Sequence, residues 1–533
     1  MIKNPILKGF CPDPSIIRAK GKYYIATSTF EWWPGVKLFE SEDLKNWKQI
    51  DSPLKRKSQL DLIGDPPSGG VWAPCLSYDG SRFFLTYTDV KTKKGRFYNT
   101  NNYVVWTDDI YGRWSEPVYL NSIGFDPSLF HDTDGKKYLV NMINGFKGIT
   151  VQEVSPDTLK PAGERVHVYD GSGIGCLEGP HIYHIGDFYY LVVAEGGTGY
   201  DHCVTLARSE SVYGPYMTCP DNPILTSDKE GLLQKCGHAS FVQTPDREWY
   251  MVHLCSRPVK EAGGCILGRE TAIQKMVLDE NGWFKTKNGN PFGQVLTQEP
   301  VMTGASGDDT ADGNAGDTSD RNADDTPDAC ENAGIFHDSF DKGVIDVTYS
   351  SLRWDYNEFA SIDRGKLILR GEESLNSLHH VSLLATRQTN IACMAQTCMD
   401  FKPWSYMQLA GIVYMYDNLN FYIFGKSLNE NGERILVILK SDKGDITDLI
   451  EPIVIESDDP VRLRIETDGV NVRFSYGFDD EMTDIDTQAD THILTDEYCR
   501  GFTGAHMGMY VHDMLEKKAQ AAFDHWHVEN RQV

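Results

Sequence analysis

Short aromatic strands recur at nearly constant spacing through the first half of the chain. Each follows a polar turn and carries neighbouring aromatic or apolar residues. The central residues of these strands are spaced by 60, 54, 52 and 60 residues, and they are Tyr24, Phe84, Tyr138, Tyr190 and Tyr250. A unit of this length with several short strands and no convincing amphipathic helix matches one four-stranded β-propeller blade. The sequence therefore predicts an all-β fold in which residues 1–302 form a five-bladed β-propeller.

The strand before each aromatic strand is the innermost one in a propeller blade, so it lines the central channel. Equivalent positions lie 11 or 12 residues upstream of the aromatic markers, at Asp13, Ala73, Asp126, Glu178 and His238. Because equivalent inner positions converge on the axis, we expect carboxylates from three blades to meet at one mouth of the channel. A single Asp-Pro segment is more often a solvated turn. Three acids in register favour a functional site.

Converging carboxylates suit the hydrolysis of glycosidic bonds. One carboxylic acid protonates the leaving oxygen, while a second carboxylate activates water or attacks the anomeric carbon. A third carboxylate nearby raises the pKa of the acid by repulsion and keeps it protonated near neutral pH. Asp13, Asp126 and Glu178 together supply enough groups for all of these roles.

The overall charge narrows the choice of ligand. The formal net charge is −26, which argues against nucleic acid or an anionic membrane as partner, because either would repel the protein. A small neutral molecule is the simplest remaining ligand. No apolar run suits a signal peptide or approaches the ~20 residues of a membrane span. We therefore expect a cytoplasmic protein.

Cysteine usage agrees with a reducing compartment. Twelve cysteines are scattered without a CxxC pair, which indicates reduced thiols more than a disulfide framework. Four of them lie within two residues of an inner-strand position: Cys11, Cys75, Cys176 and Cys236. We expect these four to be small residues that pack in the channel, with oxidation-sensitive thiols as the alternative.

Composition separates a second domain from the first. Residues 303–335 are rich in small polar residues, with eight Asp and one Arg between positions 308 and 328, so they are predicted to be an acidic linker or surface excursion. Beyond them, residues 461–466 and 470–476 alternate apolar and polar side chains around Asp468-Gly469, which predicts a hairpin. Residues 366–370, 421–424 and 435–439 add further strands. Residues 336–533 are therefore predicted to form an antiparallel β-sandwich.

Several short motifs identify a family when they are taken together. They are 4–7 (Asn-Pro-Ile-Leu), 12–15 (Pro-Asp-Pro-Ser), 27–32 (Thr-Ser-Thr-Phe-Glu-Trp), 70–74 (Gly-Val-Trp-Ala-Pro), 178–181 (Glu-Gly-Pro-His) and 267–271 (Leu-Gly-Arg-Glu-Thr). The combination closely resembles glycoside hydrolase family 43, especially its two-domain β-xylosidases and α-L-arabinofuranosidases. The resemblance implies an inverting single displacement in which Asp13 is the general base and Glu178 the general acid. It also implies that Asp126 tunes and orients that acid.

The resemblance also implies a sugar pocket around the acids. Phe30 and Trp72, with Ala73 beside them, match walls on which a sugar ring packs, although either aromatic side chain could be a core residue. Arg269 matches an arginine that holds a sugar hydroxyl, with a structural salt bridge as the alternative. Thr198 matches a residue on the leaving-group side, and the alternative is that its hydroxyl is buried in a turn.

No cofactor is required for this chemistry. Members of the resembled family often hold a water-bound ion, commonly calcium, in the channel near the residue that matches His238. A hydrogen-bonded core histidine is at least an equal interpretation, because one histidine without clustered partners is a weak metal signal. We therefore assign no catalytic metal.

The second domain is expected to shape the pocket. In the resembled enzymes the sandwich inserts a loop that restricts attack to chain ends, and residues from Phe502 to His506 match that loop, although an aromatic residue usually replaces His506. The expected function is release of xylose from the non-reducing ends of xylo-oligosaccharides. An α-L-arabinofuranosidase is the alternative, and a sugar-binding propeller without catalysis is the third reading. Relatives tend to be oligomers, and by that analogy a homo-oligomer is an option.

Overall fold

The structure is a computed structural model that describes residues 1–92, 98–301, 334–479 and 481–531. Its first part consists of β-strands joined by loops and turns. In chain order these strands are β1 (Ile2–Lys3), β2 (Ser15–Ala19), β3 (Lys22–Thr27), β4 (Trp32–Trp33), β5 (Lys37–Ser41), β6 (Lys48–Ile50), β7 (Gly70–Tyr78), β8 (Phe83–Thr92), β9 (Asn99–Thr107), β10 (Val118–Asn121), β11 (Ser128–His131), β12 (Lys137–Met142), β13 (Ile149–Val154), β14 (Pro161–Tyr169), β15 (Glu178–Ile185), β16 (Phe188–Glu195), β17 (Cys203–Ser209), β18 (Met217–Thr218), β19 (Gln234–Gln243), β20 (Trp249–Ser256), β21 (Glu270–Leu278), β22 (Phe284–Thr286) and β23 (Leu296–Thr297).

Most of these strands form four-stranded antiparallel sheets, which are the blades of a propeller. From the inside outwards the strand orders are β2-β3-β5-β6, β7-β8-β9-β10, β11-β12-β13-β14, β15-β16-β17-β18 and β19-β20-β21-β22. The inner strands contact one another in the ring order β2, β7, β11, β15, β19 and back to β2. The prediction of a five-bladed propeller is confirmed. The aromatic strands, β3, β8, β12, β16 and β20, are second from the axis in every blade, as expected.

The recurring aromatic pairs have a packing explanation. Tyr24 packs on Phe83 of the second blade, with ring centroids 5.8 Å apart, whereas Tyr23 packs in a cluster with Tyr250 of the fifth blade. Successive side chains of a strand point to opposite faces. A strand inside one blade is covered by a neighbouring blade on each face. Both of its faces are therefore buried, and consecutive residues must be apolar. The ring closes where β1 pairs with β23, with Ile2 opposite Thr297.

The second part of the structure is also built from β-strands. They are β24 (Ile335–Asp338), β25 (Ser351–Leu352), β26 (Ala360–Asp363), β27 (Lys366–Arg370), β28 (Ser382–Arg387), β29 (Ala392–Phe401), β30 (Gln408–Asp417), β31 (Asn420–Leu428), β32 (Arg434–Asp442), β33 (Asp445–Asp448), β34 (Ile453–Val454), β35 (Val461–Thr467), β36 (Asn471–Gly477), β37 (Thr483–Asp490), β38 (His506–Asp513), β39 (Gln520–Phe523) and β40 (Trp526–Arg531). Single turns of 3₁₀-helix span Tyr356–Glu358 and His492–Leu494, and a short helix α1 spans Asp496–Cys499.

These strands form a nine-stranded and a seven-stranded sheet, apart from β25, which pairs with β4 of the propeller. The prediction of an antiparallel β-sandwich is confirmed. The predicted hairpin is also present, because β35 and β36 pair antiparallel around residues 468–470. A large apolar cluster fills the space between the two sheets.

The seven-stranded sheet is buried on both faces at its central strand, β30. Along β30, Ile412 and Tyr414 belong to the cluster between the two sheets, while Val413 and Met415 pack with a cluster that contains Phe30 of the propeller. This explains why β30 is almost continuously apolar in sequence. The pairing of β4 with β25 fastens the same region. The sandwich therefore docks directly beside the propeller segment that carries Phe30.

Several sequence-based expectations concern the remaining regions. The predicted linker 303–335 lies almost wholly outside the described residues, which resume at residue 334. No helix among the described residues is long and apolar enough to cross a membrane. Cys11, Cys75 and Cys236 are buried near the axis as expected, but the expectation for Cys176 is wrong, because it is exposed. Cys176 lies in the loop before β15, where its backbone is left-handed with φ 53°.

Candidate active site

The three sequence-predicted carboxylates meet where inner strands begin. Asp13 and Asp126 each lie two residues before an inner strand, β2 and β11, and Glu178 is the first residue of β15. All three are buried. Asp13 and Asp126 both have φ 53°, a left-handed conformation that is uncommon for residues other than glycine and that clusters at functional sites. The same local turn thus presents an acid from each of two blades.

Asp13 is held by neutral and charged donors. The hydroxyl of Ser28 donates a hydrogen bond of 2.7 Å to Asp13 Oδ2. The guanidinium Nη1 of Arg269 lies 3.6 Å from Asp13 Oδ1, and Nδ1 of His238 lies 4.0 Å from the same oxygen. The positive charge of Arg269 offsets the negative charge of Asp13, and the bond from Ser28 orients its carboxylate. Ser28 had no assigned role in the sequence analysis, although it lies inside the 27–32 motif.

Glu178 and Asp126 differ in how they are hydrogen-bonded. Asp126 Oδ2 accepts a 2.9 Å bond from the backbone N–H of Gly179, whereas Glu178 Oε1 is buried without a hydrogen-bond partner among the described residues. Burial, together with the negative charge of Asp13, raises the pKa of Glu178 to about 8. Burial and repulsion from Glu178 also raise the pKa of Asp126 well above its usual value. The N–H of Gly179 opposes the rise at Asp126, because a donated N–H favours the ionised carboxylate.

Arg269 connects the acids with the second domain. Its buried guanidinium donates a 2.7 Å bond from Nη2 to the carbonyl oxygen of Phe502. It also lies over the rings of Phe30 and Phe502, 5.5 and 4.8 Å from their centroids. The alternative role predicted for Arg269, a structural salt bridge, also belongs to the site, because the carboxylate that Arg269 faces is that of Asp13.

Three aromatic side chains form one wall beside the acids. The ring centroids of Phe30 and Phe502 each lie about 6 Å from that of Trp72, at 6.2 and 6.0 Å. Trp72 packs edge-on against Phe125 at 5.1 Å. Phe502 comes from the loop between α1 and β38 of the sandwich. The second domain therefore contributes an aromatic residue to this wall.

His506 makes different contacts from those of Phe502. It is the buried first residue of β38, and its ring stacks on Trp32 at 3.9 Å and meets Phe10 edge-on at 5.7 Å. Burial lowers its pKa well below the usual value, so the ring is neutral. His506 therefore packs in the apolar contact between the domains. Thr198 is half-buried in the loop between β16 and β17.

The channel below the acids contains a small polar cavity. Ala73, Asp126, Gly179, His181 and His238 are among its lining residues, and its volume is about 10 Å³, close to the ~10–15 Å³ that one water needs. Burial lowers the pKa of His238, so its ring is neutral there. No group of three His, Cys, Asp or Glu side chains among the described residues is placed to hold a metal ion. The residues present fit a water more readily than a directly ligated cation, and calcium in the channel stays a prediction.

The fold and the site together define a class of protein. A propeller whose axis carries buried, mutually interacting carboxylates beside an aromatic wall and an arginine is typical of glycoside hydrolases. The family model "Glycosyl hydrolases family 43" matches residues 2–284, and the model "Beta xylosidase C-terminal Concanavalin A-like domain" matches residues 337–529. The chain belongs to glycoside hydrolase family 43, and it is a glycoside hydrolase.

Curated relatives match the chain over nearly its full length. A "Xylosidase/arabinosidase 43B" of Humicola insolens is 41% identical, with 98% of this chain and 97% of that protein covered. A "Beta-xylosidase" of Bacillus subtilis is also 41% identical, with coverage of 99% and 100%. Among solved structures, a xylan beta-1,4-xylosidase from Bacillus halodurans matches with a TM-score of 0.90 and 39% identity, covering 99% and 100% of the two chains. Both domains thus belong to one shared architecture.

Proposed function

We propose that this glycoside hydrolase is an exo-acting β-xylosidase, which releases xylose from the non-reducing ends of xylo-oligosaccharides with inversion of configuration. The observation that carries the proposal is the pairing of Asp13 with Glu178, whose pKa is raised to about 8. An acid that stays protonated near neutral pH beside an oriented carboxylate suits glycoside hydrolysis, and inversion is what the resemblance to family 43 implies. The names of the two 41% identical relatives support xylosidase activity.

In the proposed reaction, Glu178 is the general acid and Asp13 the general base. Glu178 donates its proton to the glycosidic oxygen as the bond between that oxygen and the anomeric carbon breaks. Asp13 removes a proton from a water whose oxygen forms the new bond to the anomeric carbon from the opposite face. Release of the Asp13 proton to solvent and uptake of a proton by Glu178 complete the cycle.

The neighbours of the acids have supporting roles. Asp126, bound to the N–H of Gly179, keeps a negative charge close to Glu178 and so holds the proton on that acid. Arg269 and Ser28, which contact Asp13, orient the base. Arg269 has further donors for a sugar hydroxyl. Phe30 and Trp72 pack on the sugar, Thr198 lies toward the leaving group, and Ala73 and His238 shape the channel side of the pocket.

Attack at chain ends follows from the second domain in this proposal. The loop that carries Phe502 sits against Trp72 and Arg269, so it would leave room for a terminal sugar and not for a continuous chain. The chain's net charge of −26 suits a small neutral oligosaccharide as substrate. A cytoplasmic location, a homo-oligomer and a channel calcium ion are further parts of the proposal that the reaction itself does not require.

α-L-Arabinofuranosidase activity is the second candidate. The observation that favours it is the name of the Humicola insolens relative, which combines xylosidase with arabinosidase. Nitrophenyl β-D-xylopyranoside and nitrophenyl α-L-arabinofuranoside should therefore be compared with the same enzyme preparation. We expect a higher kcat/KM on the xyloside. A preference for the arabinoside would reverse the assignment, and hydrolysis of neither would refute both. An Asp13→Ala, Glu178→Ala double variant controls for contaminating activity.

A further inference from the structure

The peptide group of Phe502 is held on both sides by the propeller. Its N–H donates a 2.9 Å hydrogen bond to the hydroxyl of Ser68, 434 residues away in sequence. Its carbonyl oxygen accepts the 2.7 Å bond from Arg269, whose other terminal nitrogen lies 3.6 Å from Asp13. The backbone of one sandwich residue thus bridges Ser68 to the arginine that contacts the proposed base.

Ser68 is itself fixed by further bonds. It is buried and adopts φ 58°, a left-handed conformation that a serine keeps only when its surroundings impose it. Its N–H donates a 2.9 Å bond to Glu31 Oε2. Its carbonyl oxygen accepts a 3.0 Å bond from the indole Nε1 of Trp72. Ser68 therefore touches the Phe502 loop and Trp72 through different atoms at the same time.

Glu31 links this arrangement to the docking of the second domain. It follows Phe30 in sequence, and its carbonyl oxygen accepts a 2.9 Å bond from the N–H of Arg353 in the sandwich. Burial raises the pKa of Glu31 to about 7, although the positive charge of the buried Arg353 guanidinium opposes that rise. The Nε of Arg353 also donates a 2.7 Å bond to the carbonyl oxygen of Asp65, on the propeller loop that leads to Ser68. The same few residues thus anchor the sandwich and the pocket wall.

We propose that Ser68 and Glu31 are positioning residues for the sugar pocket, which fix Trp72 and Phe502 to each other and make the pocket depend on the docked sandwich. The kinetic part rests on the β-xylosidase activity proposed above. Phe502 and Trp72 pack on the sugar in the ground state and in the transition state alike. Loosening them should therefore raise KM more than it lowers kcat.

The test variant is Ser68→Ala, which removes the hydroxyl but keeps the backbone bonds to Glu31 and Trp72. Loss of one hydrogen bond worth about 1 kcal/mol corresponds to about a fivefold change. We expect KM on nitrophenyl xyloside and the inhibition constant of xylose each to rise about fivefold, with kcat changed less than twofold. Hydrogen exchange of the Phe502 amide should accelerate by a similar factor.

Ser209→Ala is the matched control. The Ser209 hydroxyl is also buried and also accepts a backbone N–H, that of Ser211 at 3.1 Å, but it lies at the end of β17. The Ser209→Ala variant should lose about as much stability as Ser68→Ala, without any change in KM. In a second pair, Glu31→Gln retains an oxygen that accepts the Ser68 N–H, so its KM should lie close to that of the wild type. Glu31→Ala removes that acceptor and should raise KM.

The two proposals fail in different ways. If the wild type hydrolyses no xyloside, the proposed function is wrong, and exchange at the Phe502 amide still tests the positioning role. Unchanged exchange at that amide in Ser68→Ala would overturn the inference. So would an equal rise of KM in Ser68→Ala and Ser209→Ala, because the effect would then come from general loss of stability.

Discussion

Replacing Asp126 with asparagine tests how the site keeps its acid protonated. The asparagine side-chain oxygen can still accept the N–H of Gly179, which binds Asp126 Oδ2 at 2.9 Å, so the backbone at the start of β15 should not move. What disappears is one negative charge next to Glu178. Because repulsion between two carboxylates disfavours the ionised form of each, Glu178 should lose its proton at lower pH in the variant.

The pKa of Glu178 sets the wild-type reference. Burial and the negative charge of Asp13 raise it from 4.5 to about 8, so the wild type should lose kcat/KM as the pH rises through about 8. A neighbouring like charge typically contributes ~1–3 pKa units, or about 1.4–4 kcal/mol. In Asp126→Asn the alkaline limb should therefore move down by at least about one unit.

The assay is the pH dependence of kcat/KM on a nitrophenyl xyloside. The position of the limb is informative even if the variant is slower at every pH. Asp132→Asn is the control. Asp132 follows the opposite end of β11 from Asp126 and accepts hydrogen bonds from His184 and Tyr189, so this change should leave the limb in place. An alkaline limb that stays near the wild-type position in Asp126→Asn would refute the reasoning, because the charge of Asp126 would then not act on the acid.

Four other substitutions separate the roles of individual residues. Glu178→Ala should lower the rate on xylobiose by about 10²–10⁴-fold but much less on a nitrophenyl glycoside, whose leaving group needs little protonation; equal losses would argue against Glu178 as the acid. Asp13→Ala should abolish both reactions, with partial rescue by azide, which needs no base; a fully active variant would remove Asp13 from the mechanism. Phe502→Ala should weaken xylose binding by about 1–3 kcal/mol. His506→Ala should mainly lower the free energy of unfolding, by about 1–3 kcal/mol, because the His506 ring stacks on Trp32. Thermal unfolding and xylose inhibition, measured on both variants, distinguish the two effects, and reversed effects would contradict the packing.

Much of the propeller is visible in the sequence because its physical cause is local. A strand between two blades buries both of its faces, so Tyr23 and Tyr24 are both apolar contacts, one to each neighbouring blade. The repeat then places Asp13, Asp126 and Glu178 at equivalent inner positions without any knowledge of tertiary structure. The hairpin of β35 and β36 is equally local, because alternation and a turn specify it.

Contacts between the domains could not be predicted in the same way. Ser68 and Phe502 are 434 residues apart, and no periodicity relates them. In the sequence, Ser68 is only a polar residue in a glycine-rich loop. Its contacts depend on a left-handed backbone conformation that only the folded chain imposes. The sequence places His506 and Phe502 in one motif, but it does not show that a strand begins at His506 and that its ring packs on Trp32.

The configuration of the first product tests the central proposal most directly. Hydrolysis of xylobiose followed by proton NMR on the timescale of a few turnovers, before the anomers equilibrate, reports which face of the anomeric carbon the water attacks. With Asp13 as base and Glu178 as acid, we expect an initial excess of α-xylose over the anomeric mixture that the reducing-end sugar of xylobiose contributes. An initial excess of β-xylose over that mixture would contradict this account, because it requires a carboxylate that attacks the sugar covalently, and absence of any xylose would contradict the proposed activity.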